Sequence, residues 1–294
     1  MLSPTFLLVL LPLLLLPLVL GLPVEGIEQQ VYDDLVRYTK YSSAVYQGLC
    51  PRPLGNTLVA QFSEVLTHTN GFFVRDDLRK ETVLVFRGSD ANTLADYFTD
   101  SMMILTPFSS PGVSPPDNTT AVHWGFLRAF NSVAETVISI MEEQYTFYPN
   151  YRLVCTGHSL GGALAALAAV TLRSNIPGLA GRIRLFTFGQ PRTGNLAFSR
   201  FVEELLGPIN IYRAVHRYDG VPTIIPRRLG YHHFLTEYWQ TKYLAKPSHV
   251  RRCTESSEDR HCSRSITSTG INADHSVYFN HVMTAEPWLC LGDP

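Results

Sequence analysis

The 294-residue chain carries 24 basic and 25 acidic residues, a formal net charge of −1. That balance excludes an electrostatic footprint for nucleic acid or a polybasic patch for an anionic membrane. Hydrophobic residues at 45% against 17% charged exclude a disordered chain and allow a sizeable core.

The opening stretch, MLSPTFLLVLLPLLLLPLVLGLP, has no charge, an apolar run from Phe6 to Leu22, and prolines at 4, 12, 17 and 23. Residues 1–22 read as a secretory signal peptide, although the basic n-region and a small-x-small cleavage site are missing. An uncleaved anchor is the weaker alternative, because the prolines interrupt a helix and the run barely reaches spanning length. Residues 23–294 hold no internal repeat, no long low-complexity linker and no second spanning segment. They are expected to form one secreted domain without stable membrane insertion.

In chain order, IEQQVYDDLVRYTKYSSAVYQ spaces Val31, Leu35, Tyr38 and Val45 roughly on one face and predicts an outer helix. GFFVRD and ETVLVFRG, separated by DLRK, predict a hairpin. A long helix is expected from about Gly125 to Gln144, followed by the strand YRLVC, a glycine turn and the helix GGALAALAAVTLR. The strand IRLFTFG, the helix NLAFSRFVEELLG and the strand INIYRAVH continue the alternation. Such a pattern predicts an α/β fold, a mainly parallel central sheet with helices on both faces. Ligands of such sheets sit at the carboxyl ends of the strands.

Five cysteines, at 50, 155, 253, 262 and 290, fit an oxidising compartment and leave one unpaired. Cys155 lies in the apolar run YRLVCTG and is expected as a buried free thiol. The other four allow three pairings. Cys253 with Cys262 would close the polar loop TESSEDRH, and Cys50 with Cys290 would tie the first helix to the C-terminus. A zinc site using His261 lacks CxxC or HxxxH spacing, and no metal or organic cofactor is implied. The sequon at Asn118 lies in SSPGVSPPDNTT, whose prolines mark an exposed loop open to glycosylation.

GHSLG, residues 157–161, fits G-x-S-x-G and stands between an apolar strand and a helix, where that motif must stand to carry a nucleophile. A serine hydroxyl becomes nucleophilic when a sharp turn projects it toward a base, and Gly157 and Gly161 permit the turn. A phosphate loop is a poor competitor, since no Lys follows the glycines. A simple helix cap would not require glycine on both sides of Ser159.

A triad on this kind of sheet runs Ser, then acid, then His. Of Asp219, Asp259, Asp274 and Asp293, Asp219 ends a strand in AVHRYDGVPTIIP and is the best orienter, with a turn role beside Gly220 as its alternative. Histidines 232, 233, 249, 261, 275 and 281 follow, and spacing alone does not choose among them. His232 and His233 suit a packed aromatic stretch. His275, in the polar turn NADHSVYFN, suits an exposed base.

Together, VLVFRGS, VHWGF, GHSLGGALA, FTFGQPRTGN, VHRYDGVPTIIP, GYHHFLTEYW and DHSVYF resemble the class 3 lipase family of secreted fungal enzymes, which also includes feruloyl esterases. The resemblance runs from about Gln29 onward. It implies an α/β-hydrolase fold and a serine ester hydrolase with no cofactor. Family segments H-x-x-D-x-V-P and H-x-x-Y-F place the acid on Asp219 and the base on His275, and they leave His233 without a triad role. The resemblance also implies the pairs Cys253–Cys262 and Cys50–Cys290.

Acyl transfer needs two preorganised donors for the carbonyl oxyanion. One is the N–H after the nucleophile, on Leu160; the family match puts the other at Ser89, which could also cap a helix. Leu94, Tyr97, Phe98, Met102 and Leu105 recur at helical spacing directly after Ser89, as in the family's lid, expected here at about 90–105. MMILTPF resembles the feruloyl esterase branch, but the segment is more apolar, which favours a lipase. Val221, Ile224 and Ile225 either line an acyl groove or belong to the core. The resemblance thus implies a triacylglycerol lipase working at a lipid–water interface. Alternatives are a feruloyl esterase acting on plant-wall hydroxycinnamate esters and a secreted binding protein that lost turnover.

Overall fold

The computed structural model describes residues 24–89, 103–284 and 286–292. Strands β1 (Val24–Glu25), β2 (Thr57–Glu64), β3 (Thr69–Asp76) and β4 (Glu81–Phe86) enclose the first helix, α1 (Gln29–Ala44), in sequence. A small sheet uses β5 (Leu105–Pro107) and β6 (Ala121–His123), and two helices follow, α2 (Trp124–Asn131) and α3 (Ala134–Phe147). The alternating half comprises β7 (Arg152–His158), α4 (Leu160–Asn175), β8 (Ile183–Phe188), β9 (Gly194–Asn195), α5 (Leu196–Leu206) and β10 (Ile211–His216). A short turn of helix, Val221–Ile224, precedes β11 (Tyr231–His232), β12 (Glu237–Gln240) and β13 (Val250–Cys253).

Among the described residues the main sheet runs β1-β13-β12-β10-β8-β7-β4-β3-β2. Its centre, β12 through β4, is parallel, and both flanks are antiparallel. This is the α/β-hydrolase fold. The central strands are continuous apolar runs because both faces are covered. Alternate residues therefore enter two separate cores: Leu84, Phe86, Leu153 and Cys155 face α2 to α5, whereas Val83, Val85 and Val154 face α1 and the C-terminal segment around Tyr278 and Leu289. Helix α4 is buried on every side from Leu160 to Leu172. Its alanines and glycines let it lie close against the sheet.

The single helix expected over 125–144 is two. The Ser132 hydroxyl donates to the Ala129 carbonyl and meets Thr67 Oγ1 at 2.8 Å, and Val133 leaves helical geometry (φ −123°, ψ −1°). Such back-bonding competes with the helix ladder and bends or ends it. The helix expected first is a sheet-covering helix anchored by charge: Asp34 is buried and pairs with Arg79 at 3.0 Å and Arg184 at 2.8 Å. Strands β2, β12 and β13 carry too little apolar alternation to read from sequence; β2 is an edge with mostly exposed or half-buried residues. Among the described residues no helix is long and apolar enough to cross a membrane. Residues 1–22, expected as a signal peptide, lie outside the described residues, as do Leu94, Tyr97, Phe98 and Met102 of the expected lid, whereas Leu105, expected on the same helical stripe, instead begins β5 and pairs with His123 because backbone pairing in the small sheet holds it extended.

Candidate active site

β7 delivers the chain into a sharp turn at Ser159, where φ is 59° and ψ −129°. A non-glycine residue in that region stores about 1–3 kcal/mol of strain. The flanking glycines permit close approach rather than mere flexibility. A Cβ on Gly157 would stand 2.3 Å from the Gly161 carbonyl oxygen, and one on Gly161 would stand 2.3 Å from the Phe86 oxygen. The Ser159 hydroxyl makes no capping bond to α4. It lies instead 2.9 Å from His275 Nε2.

Asp219 sits in the turn after β10, its N–H donating to the His216 carbonyl at 2.8 Å. Oδ1 accepts the Val221 N–H at 2.9 Å, and Oδ2 lies 2.8 Å from His275 Nδ1. Because a carboxylate only accepts, Nδ1 carries the proton and Nε2 presents a lone pair to the serine O–H. The spacing-level alternatives at residues 232, 233, 249, 261 and 281 do not reach Ser159 in the described hydrogen bonds. His275 is only 5% exposed, a correction to the exposed base expected from its polar turn. The reason is packing: the His158 ring lies 4.4 Å away, centre to centre, and Gly189, at φ +60°, leaves no room for a Cβ beside Asp219 and His275.

A cavity of about 410 Å³ opens beside His275, lined in part by Tyr46, Ser89, His158, Ile271 and Met283. Leu160 begins α4, so its N–H has no partner within the helix. Ser89 sits at the cavity wall just beyond β4. Val221 and Ile225 are fully buried in the core, and Ile224 is half-buried against it. None of the three lines this cavity.

Several contributors carried little sequence signal. Tyr278, inside DHSVYF, donates to Asp219 Oδ2 at 2.5 Å; burial and then the Asp219 charge push its phenol well up, so it stays a donor. His158, the variable position of GHSLG, contacts the His275 carbonyl at 2.7 Å and Tyr46 Oη at 2.9 Å. Tyr46 follows α1 with no motif around it. His233 is buried and donates to the Pro222 carbonyl at 2.7 Å, which fits its structural reading.

The loop closed by Cys253–Cys262 is not simply polar surface. Glu258 is buried and takes two bonds from Arg192, at 2.7 and 2.8 Å, while Arg192 also donates to the Ile225 carbonyl. Burial favours the protonated carboxyl, but that guanidinium and His233 hold Glu258 down to about 2. Arg192 thereby ties this loop to the segment that follows the acid turn. Cys50 pairs with Cys290 and Cys155 is free and buried. Burial pushes its thiol up, as expected of an inert core cysteine. Asn118 is exposed. Among the described residues Glu237, Cys253 and Cys262 are close enough to share a metal, but the disulfide consumes both sulfurs.

Residues 83–229 match the family model for lipase (class 3). A lipase of Rhizopus niveus is 34% identical over 224 residues, 76% of this chain and 54% of that protein. A secreted alkaline triacylglycerol lipase of Penicillium cyclopium is 30% identical over 257 residues, covering 86% of this chain and 85% of the relative. The match thus spans about half the length of the Rhizopus relative and most of the Penicillium one. The crystal structure of a lipase from Rhizopus microsporus var. chinensis superposes with a TM-score of 0.78 at 31% identity, over 90% of this chain and 93% of that one.

Proposed function

The chain belongs to the class 3 lipase family, and on that premise we propose that it is a secreted triacylglycerol lipase acting through an acyl-enzyme. One observation carries the reading: Asp219, His275 and Ser159 form an unbroken hydrogen-bonded line that ends on a strained serine. A binding protein has no use for that strain or for all three groups in register.

Ser159 Oγ attacks the ester carbonyl while His275 Nε2 takes its proton. Asp219 holds the imidazole in the required tautomer and stabilises the imidazolium. The N–H groups of Leu160 and Ser89 receive the oxyanion, each worth on the order of 2.7–4 kcal/mol of barrier. Collapse expels the glyceride alcohol, which takes the proton from His275. Water, deprotonated by the same nitrogen, then releases the fatty acid and restores Ser159. The segment from about residue 90 to the start of β5 acts as a lid that presents Leu94, Tyr97, Phe98 and Met102 to lipid at an interface. Residues 1–22 direct secretion, and Asn118 carries glycan; its exposed loop and the secreted Penicillium relative support both.

Labelling by a fluorophosphonate probe tests the enzyme reading, with Ser159→Ala as control; absence of Ser159-dependent labelling sinks it. Rate against tributyrin concentration across its solubility limit, beside methyl ferulate, tests the substrate. A jump at the limit is expected, whereas preference for ferulate without a jump would place the chain with the feruloyl esterases.

A further inference from the structure

Three loops meet at Ser159: the one after β4 with Gly88 and Ser89, the turn between β7 and α4, and the turn bearing His275. Two side chains outside the triad join them. The Gly88 N–H donates to the Tyr46 hydroxyl, and Tyr46 Oη lies 2.9 Å from His158 Nδ1. On its other side, His158 Nε2 lies 2.7 Å from the His275 carbonyl oxygen.

The proton directions in this chain are forced. A carbonyl accepts only, so His158 Nε2 carries the hydrogen and Nδ1 a lone pair, and Tyr46 must donate to it. Burial, then the neighbouring charge of His275, holds His158 well below the ordinary histidine range, which keeps it neutral while His275 cycles. Contact at Gly88 is close: a Cβ there would stand 2.2 Å from Tyr46 Oη and 2.7 Å from the His158 carbonyl oxygen.

Resting on the ester-hydrolase reading above, we infer that Tyr46 and His158 are positioning residues that lock the oxyanion loop and the base loop to one another across the nucleophile turn. The lock fixes the Ser89 N–H relative to Leu160 and fixes the His275 backbone relative to Ser159 Oγ. It acts in the transition state, because both distances matter only when the oxyanion and imidazolium exist.

Tyr46→Phe in the full secreted chain removes one oxygen and keeps the ring. With p-nitrophenyl butyrate, kcat per fluorophosphonate-titrated site should fall about tenfold or more while KM stays within about twofold. His158→Gln, whose amide can accept from Tyr46 and donate to the His275 carbonyl, should retain most of the kcat that His158→Leu loses. Unchanged kcat per titrated site in Tyr46→Phe overturns the proposal, and so does equal loss in the two His158 variants. If Tyr46→Phe yields no titratable sites, the His158 pair decides. A wild-type chain without Ser159-dependent labelling removes the hydrolase reading and this proposal together; full labelling and full turnover in Tyr46→Phe remove this proposal alone.

Discussion

Tyr278 donates its phenolic proton to Asp219 across 2.5 Å, onto the same oxygen that faces His275 Nδ1. The carboxylate is therefore fixed by groups on three sides, with the Val221 N–H on its other oxygen. In Tyr278→Phe only the backbone donor and His275 remain. Hydrogen bonds to a charged group contribute about 1.5–3 kcal/mol, so kcat on tributyrin should drop at least about tenfold, with KM nearly constant. Steady-state kinetics checks this, and an unchanged kcat would show that the Val221 N–H suffices to hold the carboxylate.

The Arg192–Glu258 pair predicts an acid-dependent stability. Glu258 is held near 2 in the fold against about 4.3 in an unfolded chain. Its contribution is complete above the unfolded value and is lost as pH falls from about 4.3 toward 2, amounting to about 3 kcal/mol. Urea unfolding between pH 6 and 3 should show that slope in the wild type. Glu258→Gln should flatten it while lowering stability at pH 6, because Arg192 is left buried without its counter-charge.

Two buried histidines add a second slope at higher pH. His158 is held well below 6.5 by burial and the His275 charge, and His233 by burial and then Arg213 and Arg192. Unfolding lets both protonate, so their contribution is full above about 6.5 and is lost as pH falls below it. Between pH 7.5 and 5.5 the unfolding free energy should therefore decrease. Urea titrations at the two pH values measure it, and His233→Gln should shrink the decrease.

Gly161→Ala should be more damaging than an alanine for glycine in an ordinary helix. Its methyl would press to 2.3 Å from the Phe86 carbonyl oxygen, and that backbone belongs to a fully buried strand with no room to retreat. Destabilisation of about 1–3 kcal/mol or more is expected, read as a lowered Tm, against a normal gain in helix propensity of about 1 kcal/mol at an open site.

Cys155 should resist modification by a thiol reagent while the chain is folded. It is fully buried among the sheet and α4, and a thiol held protonated is a poor nucleophile. One equivalent should react only on unfolding in urea without reductant. Rapid labelling of the native protein would contradict the burial.

Much of the reaction centre was legible because it depends on local order. Strand, glycine, serine, glycine and helix fall within 157–161, and the Ser–acid–His order follows the chain. The alternating β and α segments from β7 to β10 state the parallel sheet for the same reason: each element needs only its own periodicity. The apolar and polar spacing failed where local signals were mixed, as at Ser132, which ends a helix through a hydroxyl bond, and at β2, an edge strand with little to bury.

By itself, then, the sequence determined the nucleophile turn, the short list of acids and bases, and the unpaired cysteine, since each is written in neighbouring residues. Residue types alone left six histidines open, and only family resemblance narrowed them before coordinates did. The tertiary structure decided that His275, 116 positions from Ser159, is the ring that reaches it, and that it does so buried. It also decided the parts played by Tyr46, His158, Arg192 and Glu258. These are contacts between groups far apart in the chain, formed only when the sheet brings the ends of β4, β7, β8 and β10 side by side, and no spacing along the chain records them.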